Sequence, residues 1–140
     1  MAEQLIEQKL ESLRRCLERI RSRLPETAAQ LATDPDAQDI VALNLTRSIQ
    51  ICVDIASHWV SEYPELPAPQ TMGESFDLLS RIDVINPELA ANLRRSVGFR
   101  NIMVHAYEEV DWDIVFAICT EHLGEFKEFA RQIATEAGLA

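Results

Sequence analysis

The chain has 140 residues, a formal net charge of -10 at pH 7 and a hydrophobic content of 47%. This length predicts a single domain, residues 1–140, that can build a compact core without disulfides or a metal. The acidic balance argues against a general nucleic-acid-coating protein, which would be basic. The N-terminus is charged throughout and no run of about 18 apolar residues occurs, so we expect a cytoplasmic protein that does not interact with a membrane.

The cysteines and the basic residues are unevenly placed. Cys16, Cys52 and Cys119 each fall within a helical pattern, which predicts reduced thiols in the core of a cytoplasmic protein. Nine of the 13 Lys and Arg residues lie in two clusters. These are Lys9, Arg14, Arg15, Arg19, Arg21 and Arg23, and then Arg94, Arg95 and Arg100. Charge clusters are usually solvated helix faces, but the second cluster adjoins a polar motif and favours an anion site there.

Helical periodicity describes the first half of the chain. A first helix is predicted from about residue 3 to residue 24, where Pro25 ends it, and residues 26–33 are expected to form a short helical turn. Asp34 is the predicted N-cap and Pro35 the first residue of a long second helix that runs to about residue 63. Its core-facing side chains are expected to be Ile40, Leu43, Ile51, Ile55 and Trp59.

The second half repeats this pattern. Residues 64–69 hold three prolines and predict a loop, after which Thr71 and Glu74 form a predicted capping box for a third helix. Asn86 is the expected cap of a fourth helix, which carries Leu89, Leu93, Val97 and Met103 inward, and Asp111 caps a fifth. No alternation typical of strands occurs. The predicted fold is therefore all-α, an up-and-down bundle of four main helices plus a shorter one.

A polar motif interrupts the apolar pattern near the end of the fourth helix. The stretch VGFRNIMVHAYEEVDW, residues 97–112, contains Arg100, Asn101, His105 and Tyr107 within eight positions. If the helix continued through Tyr107, these four side chains would span roughly 160° of its circumference at about 100° per residue. Ile102 and Met103 would then point towards the core. So wide a polar arc suits a cleft, or a surface that meets a second copy of the chain.

These residue types permit a limited chemistry. The Arg100 guanidinium can bind a phosphate and neutralise charge in a transition state, and a histidine such as His105 can take and give protons at cellular pH. Asn101 can position a phosphate or a sugar hydroxyl, and Tyr107 can hydrogen-bond or stack on a base. A structural interpretation stays open, in which His105 is only a hydrogen-bonding residue and Tyr107 closes the end of its helix.

The motif resembles a known family. Arg100-x4-His105-x-Tyr107 is similar to the R-x4-H-x-Y signature of HepT-like toxins of the HEPN superfamily. The block VGFRNIMVHAYEEVDWDIV resembles the most characteristic segment of that family, and NLTRSIQICVDIASHWVSE resembles its long second helix. The order and length of the helices match from end to end.

The resemblance implies a metal-independent endoribonuclease toxin that needs no cofactor and is paired with a nucleotidyltransferase antitoxin of the MNT type. It implies that Arg100 and His105 are catalytic, that Asn101 supports the phosphate, and that Tyr107 is the tyrosine that the antitoxin modifies with AMP. The basic residues Arg94 and Arg95 are candidates for binding the RNA substrate. The alternative within the same superfamily is a non-catalytic helical module that binds a nucleotidyltransferase partner or a nucleotide.

The resemblance also implies a homodimer in which two motifs face each other. On an ideal helix Arg100 and His105 point about 140° apart, which is too divergent for one phosphate. A two-fold axis would let one chain supply the arginine and the other the histidine. Alternatively the helix ends or distorts before His105.

Overall fold

The computed structural model describes residues 2–139, which form seven α-helices and one 3₁₀ turn, with no strand among them. The helices are α1 (Ala2–Arg23), α2 (Ala28–Ala32), α3 (Pro35–Ser61), α4 (Glu74–Arg81), α5 (Pro87–His105), α6 (Trp112–Glu121) and α7 (Leu123–Glu136), and the 3₁₀ turn is Tyr107–Glu109. The predicted all-α class is confirmed.

Side-chain caps set the helix boundaries that the sequence predicted. The Asp34 carboxylate accepts a hydrogen bond from the Ala37 N–H at 3.2 Å, and the Asn86 side chain accepts one from the Leu89 N–H at 2.8 Å. A proline follows each of these caps at the first helical position. Asp111 also caps α6 through its side chain, although no proline follows it. Each such cap stabilises its helix by about 1 kcal/mol. Because it involves only neighbouring residues, the local sequence is enough to predict where these helices begin.

The core is a bundle built around α3. Helix α1 packs along α3. Helices α4 and α5 cover a second side of α3, and α7 contacts α1, α3 and α5. Fully buried aromatic rings meet where α4 and α7 cross, because Phe76 and Phe129 pack edge to face with centroids 6.0 Å apart. Cys16, Cys52 and Cys119 are buried and free, as predicted.

Two helix details differ from the prediction. The predicted fifth helix is two helices, because α6 ends before His122 and α7 begins at Leu123. The apolar stripe continues across this break, so periodicity could not show it. On α3 the prediction is right for Ile55, which is fully buried, and for Ile51 and Trp59, which pack against the core, but it is wrong for Leu43, which is 50% exposed. A helix with apolar residues on several sides does not show by its pattern which side meets the core.

Two further predictions about single elements have clear outcomes. The Thr71 hydroxyl accepts a hydrogen bond from the Glu74 N–H at 3.2 Å, which is one of the two bonds of a capping box, but α4 begins only at Glu74 with Gly73 as its N-cap. By length and composition alone α3 is long and apolar enough to span a membrane, with a mean hydropathy of 1.3 in its most apolar window. No membrane span was predicted from the sequence. However, 56% of its most apolar window is buried inside the fold, as expected for the central helix of a bundle.

Candidate active site

The polar motif lies on the last turns of α5, and α5 ends within it. The helix runs to His105, and the Ala106 N–H still donates to the Ile102 carbonyl at 2.9 Å, as in an α-helix. Ala106 then leaves the helix with φ -143° and ψ 55°. The helix therefore reaches His105 but does not continue through Tyr107, the case considered from the sequence. The alternative of a distortion before His105 is wrong, because regular helix reaches that residue.

Arg100 and Asn101 form a polar pair on this surface. The Arg100 Nη1 donates a hydrogen bond to the Asn101 Oδ1 at 3.1 Å. Arg100 is half-buried, and its Nε is buried without a hydrogen-bond partner among residues 2–139. A buried donor without a partner costs about 1–3 kcal/mol. Asn101 thus holds the guanidinium through Nη1, and the buried Nε–H has no acceptor among the described residues.

His105 is exposed at the end of α5, five positions after Arg100. Five helical steps turn the two side chains about 140° apart, with about 7.5 Å of axial rise between them. One phosphate cannot easily contact both groups of the same chain. The surface between their two directions contains Val104, about 40° from Arg100, and Asn101, about 100° from it.

An apolar patch accompanies the polar residues. Val104 is 45% exposed, and it lines a groove of about 250 Å³ between α3 and α5 together with Leu43 and Tyr107. Met103 is buried at the floor, where it accepts a long hydrogen bond to its sulfur from Thr46 at 3.8 Å. We call the exposed side chains Leu43, Val104 and Tyr107 the apolar patch. Exposed apolar groups at such a density are typical of a surface that meets another protein.

The sequence placed Ile102 inward beside Met103, and this prediction is wrong for Ile102, which is 40% exposed. At this level α5 meets α3 through Met103. Ile102 is turned about 100° away from Met103 and so leaves that contact.

Tyr107 lies on the 3₁₀ turn that follows α5. Its hydroxyl donates a hydrogen bond to the Asp39 Oδ1 of α3 at 2.7 Å, and its ring packs edge to face on Trp112 at a centroid distance of 5.7 Å. Partial burial, and then the Asp39 carboxylate, raise the pKa of the Tyr107 hydroxyl well above its ordinary value. The phenol is therefore strongly protonated and held in one position at neutral pH.

Asp39 is the residue of this site that the sequence did not reveal. It is separated from Tyr107 by 68 positions and belongs to a different helix, within a segment rich in acidic residues. The cap of α3 is Asp34, so Asp39 has no role in starting the helix. Only the three-dimensional contact distinguishes its carboxylate from the other exposed acids nearby.

The two remaining candidates, Arg94 and Arg95, lie further back on α5. Arg94 is seven residues before Asn101, which places it on the same side of the helix about 10 Å away. Its guanidinium forms an ion pair with Asp77 of α4, which neutralises part of its charge. Arg95 bonds to Asn92 and borders a separate groove next to α7. The structure thus places Arg94 along the motif face and Arg95 on a different one.

No group of three or more His, Cys, Asp or Glu side chains that could hold a metal ion occurs within residues 2–139. Asp111 serves as the cap of α6, and Glu108 and Glu109 are exposed on the 3₁₀ turn. The chemistry that the site offers is therefore that of one guanidinium, one imidazole, one amide and one phenol with its carboxylate.

Known proteins similar to this chain cover nearly all of it. The family model described as Ribonuclease HepT-like matches residues 13–133. The mRNA nuclease HepT of Shewanella oneidensis is 37% identical over 132 residues, which are 94% of this chain and 98% of that protein. The tRNA nuclease HepT of Aphanizomenon flos-aquae is 28% identical over 129 residues, which are 92% of this chain and 87% of that protein.

The fold matches a solved structure equally well. The tri-AMPylated Shewanella oneidensis HEPN toxin, in complex with an MNT antitoxin, superposes with a TM-score of 0.85 at 37% identity. The superposition covers 93% of this chain and 96% of that toxin.

Proposed function

The chain belongs to the HepT-like ribonuclease family, and we propose that it is a metal-independent endoribonuclease toxin that acts in the cytoplasm as a homodimer. Its substrate is RNA, and its regulator is an MNT-type nucleotidyltransferase antitoxin that transfers AMP to Tyr107. Family membership supports the ribonuclease activity, and the tri-AMPylated relative bound to its MNT antitoxin supports the partner. Three free buried cysteines suit a reducing compartment.

The single observation that carries the assignment of the site is the state of Arg100. It is half-buried and hydrogen-bonded to Asn101, and its buried Nε–H has no partner among the described residues. A phosphate oxygen is the acceptor that a guanidinium binds best, with two parallel hydrogen bonds. His105 follows on the same helix as the group that can transfer protons.

The reaction uses the nucleophile that RNA itself carries. His105 removes the proton from a 2′-hydroxyl, whose oxygen attacks the neighbouring phosphorus, and the bond from phosphorus to the 5′-oxygen breaks. The leaving 5′-oxygen takes a proton from an imidazolium, and a 2′,3′-cyclic phosphate is formed. Arg100 stabilises the additional negative charge on the phosphate oxygens in the transition state.

A homodimer brings these two groups together. Within one chain Arg100 and His105 diverge by about 140° on a helix that is regular to its end. The exposed Val104 lies between their directions, where bare apolar surface would be unfavourable in a monomer. A two-fold axis through this surface covers Val104 and places the Arg100 of one protomer near the His105 of its partner.

AMP on Tyr107 would block this cleft. Each AMP adds a phosphate charge and a bulky base where an RNA phosphate has to bind, so it opposes the substrate both by charge and by volume. Tyr107 is 38% exposed and lies two residues after His105, within reach of a partner enzyme and close to the reaction site.

The test is RNA cleavage by the purified, unmodified protein in EDTA. We expect the wild-type chain to cut RNA under these conditions, and His105→Ala to lower the rate at least about 10²-fold. The matched control is His122→Ala, which removes an exposed histidine that bonds to Glu125 and lies outside the motif. An equal loss in both variants, or wild-type protein that binds the antitoxin but never cleaves RNA, would contradict the assignment and favour the non-catalytic module.

A further inference from the structure

The contact between Tyr107 and Asp39 has no role in RNA cleavage as proposed above. It joins the 3₁₀ turn to α3 through a 2.7 Å hydrogen bond between two exposed side chains. A carboxylate beside the cleft does not help to bind RNA, because it repels phosphate. Asp39 also neither caps α3 nor forms an ion pair among the residues that the structure describes. Its direct partner is the hydroxyl that would accept AMP.

That hydroxyl is a poor nucleophile without help. Its pKa lies well above the ordinary value, first because the phenol is partly withdrawn from water and then because of the nearby carboxylate. The phenolate, which is the reactive form, is therefore scarce at neutral pH. An acceptor of this kind reacts fastest when a base within hydrogen-bond distance removes the proton during the attack. The Asp39 Oδ1 is within that distance and already accepts the hydroxyl proton.

We propose that Asp39 is the general base of the AMP transfer, so that the toxin itself supplies the group that activates its own Tyr107. The proposal rests on the proposed function, because it requires Tyr107 to be the AMP acceptor. It concerns the transfer reaction alone and leaves RNA cleavage to Arg100 and His105.

The step balances as a simple displacement. The Tyr107 phenol oxygen forms a bond to the α-phosphorus of ATP held by the nucleotidyltransferase, and the bond from that phosphorus to the oxygen bridging to the β-phosphate breaks. Pyrophosphate leaves with the bonding electron pair. The phenol proton passes to the Asp39 carboxylate, which later releases it to water. No oxidant or reductant is needed.

The product has a different geometry from the reactant. The modified Tyr107 oxygen no longer carries a proton to donate, and the new phosphodiester carries a negative charge next to the Asp39 carboxylate. Two like charges at hydrogen-bond distance repel each other. The adenylyl group should therefore turn away from α3 once it is attached, towards the face of α5 that carries the motif.

The Asp39→Asn variant separates the two effects of the carboxylate because they have opposite signs. An asparagine can still accept the hydrogen bond through its side-chain oxygen, but it cannot take the proton. It also removes the charge that raises the pKa of Tyr107. If Asp39 were only a nearby negative charge, its removal would make the phenolate more accessible and speed up the transfer. If Asp39 is the base, the transfer slows down.

The experiment follows AMP incorporation by intact mass, with the full chain, its own MNT-type antitoxin and ATP, both at saturating concentration. We expect Asp39→Asn to slow the transfer about 10²-fold or more, with an unchanged melting temperature. The matched control is Asp36→Asn, which removes a neighbouring exposed carboxylate of α3 and should transfer at the wild-type rate. Tyr107→Phe identifies the acceptor, since this variant should take up no AMP.

The outcomes distinguish the two proposals. Wild-type protein that never gains AMP, or gains it equally in Tyr107→Phe, overturns the proposed regulation by AMP on Tyr107. Wild-type protein that is modified at Tyr107, together with an Asp39→Asn rate equal to or above that of the wild type, overturns the role of Asp39 and leaves the regulation standing.

Discussion

The two halves of α5 differ in which side chains they bury. In the first half the apolar side chains Leu89 and Leu93 are buried and the charged ones are exposed, as in any helix that packs on a core. In the second half Met103 is still buried, but Ile102 and Val104 are exposed, and Arg100 is half-buried with a donor left unpaired among the described residues. We therefore expect the first turns of α5 to stabilise the fold and the last turns to meet a partner or a substrate.

The first prediction tests this division by its effect on stability. Leu93 is fully buried, and Leu93→Ala should lower the free energy of unfolding by about 2–5 kcal/mol through lost burial and a cavity. Ile102→Ala, nine residues further along the same helix, should cost about 1 kcal/mol or less because its side chain is 40% exposed. Urea unfolding of the monomer at low protein concentration measures both. Equal losses would mean that the second half is part of the core.

The second prediction tests what the second half is for. Val104→Lys places a positive charge on the apolar patch, and in a two-fold dimer the two lysines would repel each other. We expect the dimer to dissociate and RNA cleavage to fall more than about tenfold, which is about 1.4 kcal/mol. A lysine is chosen because it attracts RNA and suits the C-terminal end of a helix. A loss of activity would then not come from weaker RNA binding or a damaged helix.

The control for this variant is Ile114→Lys, which changes another exposed apolar residue, 48% exposed on α6 and outside the groove of the patch. It should leave both the sedimentation behaviour and the cleavage rate unchanged. A Val104→Lys protein that stays dimeric and active would show that the two-fold contact lies on some other face.

The sequence predicted well whatever depends on a few neighbouring residues. The starts of α3, α5 and α6 follow from Asp34, Asn86 and Asp111, because a capping side chain bonds to the backbone two or three residues on. The family resemblance is confirmed as well, by a family model that matches residues 13–133. The break at His122 was missed because no proline or capping residue marks it.

Features that depend on distant parts of the chain could not be read from the pattern. Leu43 and Ile102 were expected inside because an apolar residue in a helical stripe looks the same whether it faces a core or a partner. The bond between Asp39 and Tyr107 joins positions 68 apart and leaves no trace in local spacing. The roles of Arg100, Asn101, His105 and Tyr107 remain predictions, and the variants His105→Ala and Tyr107→Phe test two of them.

The last and smallest predicted effect concerns alkaline pH and the contact that joins the 3₁₀ turn after α5 to α3. The pKa of Tyr107 is higher in the folded protein than in the unfolded chain, where it is about 10. Above that pH the unfolded chain has lost a proton that the folded protein retains, so stability falls as pH rises towards the folded pKa. Below it the contribution is fully present.

Tyr107→Phe removes this contribution together with the hydrogen bond to Asp39. At pH 8 the variant should be less stable than wild type by about 0.5–1.5 kcal/mol at most, because both side chains are exposed. The difference should shrink as the pH rises above about 10. The buried thiols also titrate at high pH, but they do so in both proteins and cancel in the difference. Urea unfolding of the two proteins at matched pH values measures this difference in the free energy of unfolding. A difference that stays constant or grows as the pH rises would mean that the Asp39 contact does not hold the phenol protonated.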